Sequence, residues 1–564
     1  MVVEVDPVAA TPAQAPGWLT HRGVIAAAAV AVVIAIQLWA GSYNSERGLY
    51  SDESAHFMNG LVLRDYLREG LDQSPVAFAR DYYLHYPKIA PFMWPPLFHG
   101  LLGLFLLPGW APMPATILLL GLLTAWTAWR LYFTVSSFSS APVAIGTVTF
   151  FLVTPIVIEL SGSVMVDIAV AAFAFEAAVW LGRFSHTTST RHAALFGTMT
   201  ALACVAKGNG LSAIFAAFAL LALSGSFQLL RKPGLYVAAA IVLVIAAPPL
   251  YVAYQLDAPL GDFGPLSWPL VLSRVTFYSQ HLWNQLGSVT LLLALIGTAA
   301  ALWRRPWIND AARHQAVALA AMTIGAFTFH LVSPHTLSSG RYLTLAIAPI
   351  LGLAALGVMT LTRSITQRQI RWSIQLIALG LIATAHVMSH VKRVAQPPLG
   401  YRSAIRFLDD SAGLANRRVL LVSDEFGEGA GVAEAAALGR HPWPTILRGS
   451  KVLADDDWMG NHFAKRQASA DDLLRDLEAM HVDYVVLDRS PQATSLPYWK
   501  QTEAAMTLDS NRVDLLSERT TDAKRGPLRP LTIYQLRVKS PGAPRHFDLS
   551  GTADQALRHL ADRQ

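Results

Sequence analysis

Between residues 22 and 391 the chain runs through twelve apolar stretches, at 22–40, 97–111, 113–133, 141–160, 168–183, 193–206, 211–230, 234–254, 286–303, 315–332, 342–361 and 372–391. A helix needs about 20 apolar residues to cross a hydrocarbon core of about 30 Å, because inside lipid every backbone N–H and C=O must be satisfied within the segment. So many runs in one chain make the fold class a polytopic α-helical membrane protein. Composition agrees: 53% of residues are hydrophobic and only 15% charged, which excludes a soluble globular protein. The net charge of +6 carries no nucleic-acid meaning, since many Lys and Arg residues punctuate apolar runs, where positive-inside bias accounts for them. The lipid bilayer is the expected partner, and nucleic acid is not.

The charges between the runs assign sides. Arg183 with Arg191, Arg231 with Lys232, Arg304 with Arg305, and Arg363 with Arg368 and Arg371 fall at every second boundary, which makes those boundaries cytoplasmic. The intervening boundaries, at Asp167, Lys207, the 256–285 loop and His335 to Arg341, then face outward together. The run at 22–40 is too long and too late for a cleaved signal peptide. It reads as a retained span leading out from a Pro- and Ala-rich cytoplasmic tail, residues 1–20, expected to be disordered. For Asp52 to share a side with Asp167, one of the three runs between them must fail to cross. The run at 97–111 is short and bounded by Pro95–Pro96 and Pro108–Gly109, so it is expected to be re-entrant or half-embedded. That leaves about eleven spans in a transmembrane module at 21–394.

Residues 41–95 form a long outer loop. Within it Phe57, Leu61, Leu63, Tyr66 and Leu67 recur at helical spacing against Arg64, Asp65, Arg68 and Glu69. They predict a juxtamembrane helix with its apolar face toward lipid or protein. From 395 to 564 the chain is charged and punctuated, with helix-like Ser403 to Leu408 and Asp471 to Met480, and strand-like Arg418 to Val422, Tyr484 to Leu487 and Leu531 to Val538. This predicts a soluble C-terminal α/β domain, extracytoplasmic by the same parity.

The outer loop holds Tyr50-Ser51-Asp52-Glu53-Ser54-Ala55-His56, two adjacent carboxylates and a histidine just beyond the first span. A helix start would explain part of it, with Ser51 or Asp52 as N-cap and Glu53 in the first turn. Carboxylates beside a bilayer also serve chemistry or cations. Gathering the outward-facing boundaries puts Asp52, Glu53, His56, His85, Lys88, Asp167, Lys207, His335 and Arg341 on one surface. Such a set can take a proton from a hydroxyl or amine with a carboxylate and neutralise a phosphate with Lys and Arg.

An acidic pair after the first span (Asp52-Glu53), Pro95-Pro96 opening the next run, Met165-Val166-Asp167, Lys207-Gly208 and Arg341-Tyr342 occur in that order. The ordered set resembles the GT-C polyprenyl-phosphate-dependent glycosyltransferases, similar to protein O-mannosyltransferases and to lipid A aminoarabinose transferases, over about residues 22–391. The resemblance implies a GT-C-like fold in a bacterial-type inner (plasma) membrane, with the active site extracytoplasmic. It implies transfer of a sugar from a polyprenyl-phosphate donor to a lipid, glycan or protein acceptor with inversion at the anomeric carbon. Asp52 would be general base or acceptor-orienting group with Glu53 beside it, and Asp167 the second acidic contributor. Lys207, Arg341 and Tyr342 would face the donor phosphate, with His56, His85, Lys88 and His335 as further substrate-binding candidates. No nucleotide cofactor is implied, and a divalent cation is left open. One departure stands out: where the lipid A transferases have Lys before Pro-Pro, this chain has Trp94, with Lys88 six residues upstream.

Read from residue chemistry alone, the polar set also allows a transporter or lipid flippase, or a non-catalytic assembly protein. A transporter places its charges near mid-bilayer on broken helices in two related halves, and no half-to-half repeat is visible. The histidines also read as ordinary hydrogen-bonding groups, Lys207 as a snorkelling span end and Arg341-Tyr342 as an interfacial anchor. Glu176, inside Phe175-Glu176-Ala177, is costly unless paired or protonated. Gly427 to Gly431 reads as a flexible strand-to-helix turn, since its spacing is not that of a dinucleotide fingerprint. Asp455 to Asp457 reads as a cation site or a solvated helix start. Cys204, the single cysteine, is expected to be a buried structural thiol.

Overall fold

The computed structural model describes residues 17–90, 93–257, 265–303, 308–334, 338–365, 367, 399–455, 464–519, 529–537 and 539. His335, the run at 372–391 and the boundary near 395 lie outside these. Fourteen helices of the membrane module fall within them: α1 (Gly17–Trp39), α2 (Glu53–Glu69), α3 (Pro75–His85), α4 (Leu97–Leu106), α5 (Pro112–Ser136), α6 (Ala141–Val153), α7 (Pro155–Gly162), α8 (Asp167–Thr187), α9 (Thr190–Ala206), α10 (Ser212–Ser224), α11 (Pro233–Asp257), α12 (Trp268–Leu302), α13 (Asp310–Val332) and α14 (Thr344–Thr362). Seven are long and apolar enough to cross a membrane, or eight if α6 and α7, bent by 59° at Thr154–Pro155, make one broken span.

Helix α4 has only ten residues, a rise of about 15 Å and half of a hydrocarbon core. The chain leaves it through Leu107–Gly109 and begins α5 at Pro112. Helix α12 is broken at Gly287, where φ is +74°. Further along, α12 and α14 cross backbone to backbone. A Cβ at Gly297 would collide with the Leu353 carbonyl, and one at Gly357 with the Leu293 carbonyl, the small-residue contact on which helices associate in lipid. Gly297→Leu is therefore expected to cost about 1–3 kcal/mol of stability or more, read as a lower melting temperature in detergent.

The C-terminal domain, called the outer domain after its expected side, carries a five-stranded sheet in the order β2-β1-β5-β7-β6, with β1 at Arg418–Val422, β2 at Thr445–Arg448, β5 at Tyr484–Asp488, β6 at Val513–Arg519 and β7 at Leu531–Leu536. β3 (Ala454–Asp455) and β4 (Ala464–Lys465) form a separate pair. β2, β1 and β5 run parallel, while β7 and β6 are antiparallel. Helices α15 (Tyr401–Ala412), α16 (Glu425–Ala437), α17 (Ala470–Ala479) and α18 (Trp499–Thr507) surround it. Alternation along the strands sends Val419, Leu421 and Val486 to one face, into a core continuous with that of the membrane module. Leu420, Val422 and Val485 go to the other, into a core of the domain's own.

One expectation is corrected and two are extended. First, the apolar face of α2 packs on protein, with Phe57 and Leu61 buried; of its polar residues Arg68 and Glu69 stay exposed, while Arg64 and Asp65 are buried, joined to each other at 2.6 Å, and the Tyr82 hydroxyl of α3 donates to Asp65 at 3.0 Å. The outer loop folds back to cover its own helix, a long-range packing that periodicity does not report. Second, Gly427 to Gly431 is no turn; the helix starts at Glu425, capped by Asp424, whose carboxylate accepts from Gly427 N–H at 2.9 Å. The glycines serve close packing, with Gly431 against Leu421 and Tyr401. Third, Glu176 has a partner, since Arg130 of α5 reaches it at 2.9 Å.

Candidate active site

The ends of four chain segments meet at one end of the bundle. Asp52 occupies the N-cap position of α2 yet makes no capping hydrogen bond. Its carboxylate instead accepts from an Arg341 Nη at 2.8 Å and stays 34% exposed. A helix start alone would have spent that carboxylate on the helix's own N–H groups. Asp167 opens α8 and is buried, and Lys207, the extended residue that ends α9, donates to both its oxygens at 3.0 and 3.3 Å. Arg341 lies in the 3-10 turn Gly340–Leu343 that leads into α14. Tyr342 ties the pairs together, with the Lys207 ammonium 4.8 Å and the Arg341 guanidinium 5.6 Å from its ring centre.

A frame of buried groups holds the cluster. Glu53 is fully buried and accepts from the N–H groups of Leu49 (2.9 Å), Tyr50 (3.2 Å) and Val164 (2.8 Å). It therefore pins the outer loop to the turn before Asp167, and both of its oxygens are engaged. Tyr50 stacks under Arg341, 4.9 Å from ring centre to guanidinium, and donates its hydroxyl to Glu159 of α7. Burial, then the neighbouring carboxylate, pushes its phenol well above the usual tyrosine range. His56 lies one turn below Asp52, 3.0 Å from His99 of α4 and tilted against Trp94 with ring centres 4.4 Å apart. Burial, then His99, Lys207 and Arg341, pushes His56 well below the ordinary histidine range.

Asp52, Asp167, Lys207, Arg341 and Tyr342 thus come together, with Glu53 and His56 beneath them. His85 goes elsewhere, facing the Pro444 carbonyl at 3.2 Å and the Trp443 ring in the junction with the outer domain. Lys88 is half-buried under the start of α16, and burial, then the Arg448 charge, lowers its amine to about 8. Glu159 and Tyr50 were not singled out from sequence. A carboxylate near the end of the 141–160 run was the available signal for Glu159, of the same kind that marks Glu176.

Among the described residues no three His, Cys, Asp or Glu side chains converge in a metal-ligating group. Asp52 and Asp167 are each neutralised by a cationic side chain. This donor set does not fit a divalent cation, and no step is routed through one.

Sequence comparison finds no matching family model and no matching curated protein. Among solved structures, ArnT from Cupriavidus metallidurans in the apo state is similar with a TM-score of 0.52 at 12% identity, over 92% of this chain and 98% of that one. ArnT bound to undecaprenyl phosphate is similar with a TM-score of 0.51 at 13% identity, over 94% of this chain and 100% of that one. The chain has the GT-C fold. The apo oligosaccharyltransferase of Archaeoglobus fulgidus is similar at a TM-score of 0.50 and 11% identity, over 84% of this chain and 70% of that one. At such identities it is the architecture that is shared. The likeness to ArnT extends through the outer domain, which the motif resemblance, ending near 391, had left out.

Proposed function

We propose that this GT-C chain is a membrane glycosyltransferase that moves a sugar from a polyprenyl-phosphate donor to an extracytoplasmic acceptor. The observation that carries the reading is the pair of carboxylate–cation contacts, Asp52–Arg341 and Asp167–Lys207, converging on Tyr342 at one end of the bundle. In the step proposed, the acceptor hydroxyl gives its proton to Asp52 while its oxygen bonds to the anomeric carbon. The carbon–oxygen bond to phosphate breaks on the opposite face, its electron pair staying with the phosphate, so configuration inverts. The phosphate gains one negative charge as it leaves, and Arg341 and Lys207 stabilise that charge where it grows. A lipid-linked donor needs an apolar setting for its prenyl chain, in keeping with ArnT's capture of undecaprenyl phosphate. The basic boundaries support an extracytoplasmic site, in what the motif resemblance implies is a bacterial-type inner membrane.

The test is donor kinetics on Lys207→Ala, Arg341→Ala and Arg341→Lys. Each is expected to raise the donor concentration for half-maximal rate roughly tenfold to a hundredfold, the range for a lost charged hydrogen bond, with acceptor saturation nearly unchanged. Arg341→Lys should rescue only in part, because a planar guanidinium stacked between Tyr50 and Tyr342 is replaced by a point charge. If acceptor saturation alone shifts, these residues do not serve the donor.

A further inference from the structure

The outer domain does more than sit beside the site. At Gly429 an added Cβ would lie 3.0 Å from the Ser54 hydroxyl, 3.1 Å from Ser54 Cβ and 3.2 Å from Lys88 Cε. Helix α16 therefore touches both the residue two places after Asp52 and the lysine next to it. Glu425 is one turn before Gly429 and so shares that face. It is exposed, and its charge acts on Lys88 and on Asp52. Neither the Glu425 carboxylate nor the Lys88 ammonium has a hydrogen-bond or ion-pair partner among the described residues.

This placement is held rigidly. Arg47 reaches Glu434 at 2.5 Å, Arg402 reaches Glu434 at 3.1 Å and the Ser45 carbonyl at 2.8 Å, and Arg448 reaches Glu428 at 3.0 Å. Trp443 is set among Phe78, Tyr82, Tyr86 and His85. With neighbouring groups locked in pairs, Glu425 and Lys88 are two opposite charges without a hydrogen-bonded partner among the described residues, and so are placed to meet a ligand.

We propose that Glu425 is a specificity residue of the transfer site: contributed by the outer domain, it forms with Lys88 of the 41–95 loop a wall that binds the hydroxyl groups of a glycan acceptor over Asp52. This rests on the transfer reading above. The cations given to the donor, Lys207 and Arg341, come from helix ends of the membrane module, whereas Glu425 approaches from the outer domain, the side open to a polar acceptor. A Ser or Thr acceptor offers one hydroxyl and would use Asp52 alone. A sugar with neighbouring hydroxyls donates to Glu425, accepts from Lys88 and presents a further hydroxyl to Asp52.

The experiment uses the full chain in detergent, labelled undecaprenyl-phosphate sugars as donors and membranes from cells lacking the gene as acceptor source. Label is then separated into lipid-extractable glycolipid, soluble glycan and protein. Label is expected in one of the two glycan fractions, and which one identifies the acceptor's source. Glu425→Gln should raise the amount of acceptor membrane for half-maximal rate roughly tenfold to a hundredfold, leaving donor saturation and the maximal rate within about twofold. Label confined to protein overturns the proposal, as does an unchanged acceptor dependence. A fall in maximal rate alone does so too, since that is what a merely structural role would give.

A second arm needs no substrate. Site-resolved acetylation of Lys88 against pH should show greater reactivity near neutrality in Glu425→Gln, because the carboxylate that favours the ammonium form is gone. If Lys88 is indifferent to the substitution, the wall does not exist, whatever the transfer assay gives. If Lys88 responds but the wild-type chain moves no sugar, the transfer reading itself fails and takes the acceptor role with it.

Discussion

Asp52→Asn is expected to lower the maximal transfer rate by about a hundredfold or more, the usual worth of a positioned acid–base group. Little else should change. Asp52 is spared from capping α2, and among the described residues its carboxylate makes one hydrogen bond, to Arg341, so the isosteric amide removes charge and basicity without removing a structural tie. Melting temperature should stay close to wild type, and donor saturation should be unchanged or tighter, because Arg341 loses a competing carboxylate. Initial rates with a labelled lipid-phosphate sugar, beside a thermal melt, check both halves. A well-folded Asp52→Asn protein turning over at the wild-type rate removes Asp52 from the chemistry and leaves it as a partner of Arg341.

The largest stability effect is expected at Glu434. Its carboxylate receives Arg47 at 2.5 Å and Arg402 at 3.1 and 3.2 Å. Arg47 is fully buried, with its guanidinium over the Phe57 ring at 4.4 Å. Glu434→Ala strands that guanidinium, and breaking a buried pair from one side costs about 3–5 kcal/mol. The expected result is a marked fall in melting temperature and easier proteolysis of the outer domain. The pH dependence follows the same pair. Burial pushes the Glu434 carboxyl up, but Arg47 and Arg402 more than offset this and hold it below the ordinary carboxylate range. A depressed folded value means that this stabilisation is complete above the unfolded value, about 4.5, and is lost as pH falls through the folded one. Wild type should lose melting temperature over that acid window, and Glu434→Ala should lose less of it. Parallel acid melts of the two proteins would disprove the linkage.

Much of this was legible in the sequence because the signals were local. The apolar runs marked the helices, and the short Pro-bounded run at 97–111 marked α4. The strand-like segments at Arg418 to Val422 and Tyr484 to Leu487 are β1 and β5. Asp52, Asp167, Lys207 and Arg341 stood out as members of one ordered motif set, and charge parity, with the run at 97–111 taken not to cross, put them on one side. What stayed hidden depends on distant chain segments. Nothing near Arg64 and Asp65 says that α3 will cover them, and nothing near Glu434 says that Arg47 awaits it. The capping pair Ser74-Pro75, whose Ser hydroxyl accepts from Ala77 N–H at 3.2 Å, was a readable start signal for α3 that went unused. Glycines at 427, 429 and 431 were read as a turn because their spacing looks the same whether a backbone must bend or must be approached closely.

The core shared by the sheet and the membrane module has a consequence for the order in which the protein becomes complete. Glu434 follows its partner Arg47 by 387 positions, so a ribosome makes the outer loop long before the surface that closes over it. Until then Arg47 and the aromatic side chains of α3 that pack on Trp443 lack those partners on the nascent chain. β7, the middle strand between β5 and β6, arrives later still. The proposed site therefore matures late: insertion of every helix through α14 yields a bundle still without the domain that packs on its outer loop, and translation stalled before residue 531 leaves a sheet that lacks β7.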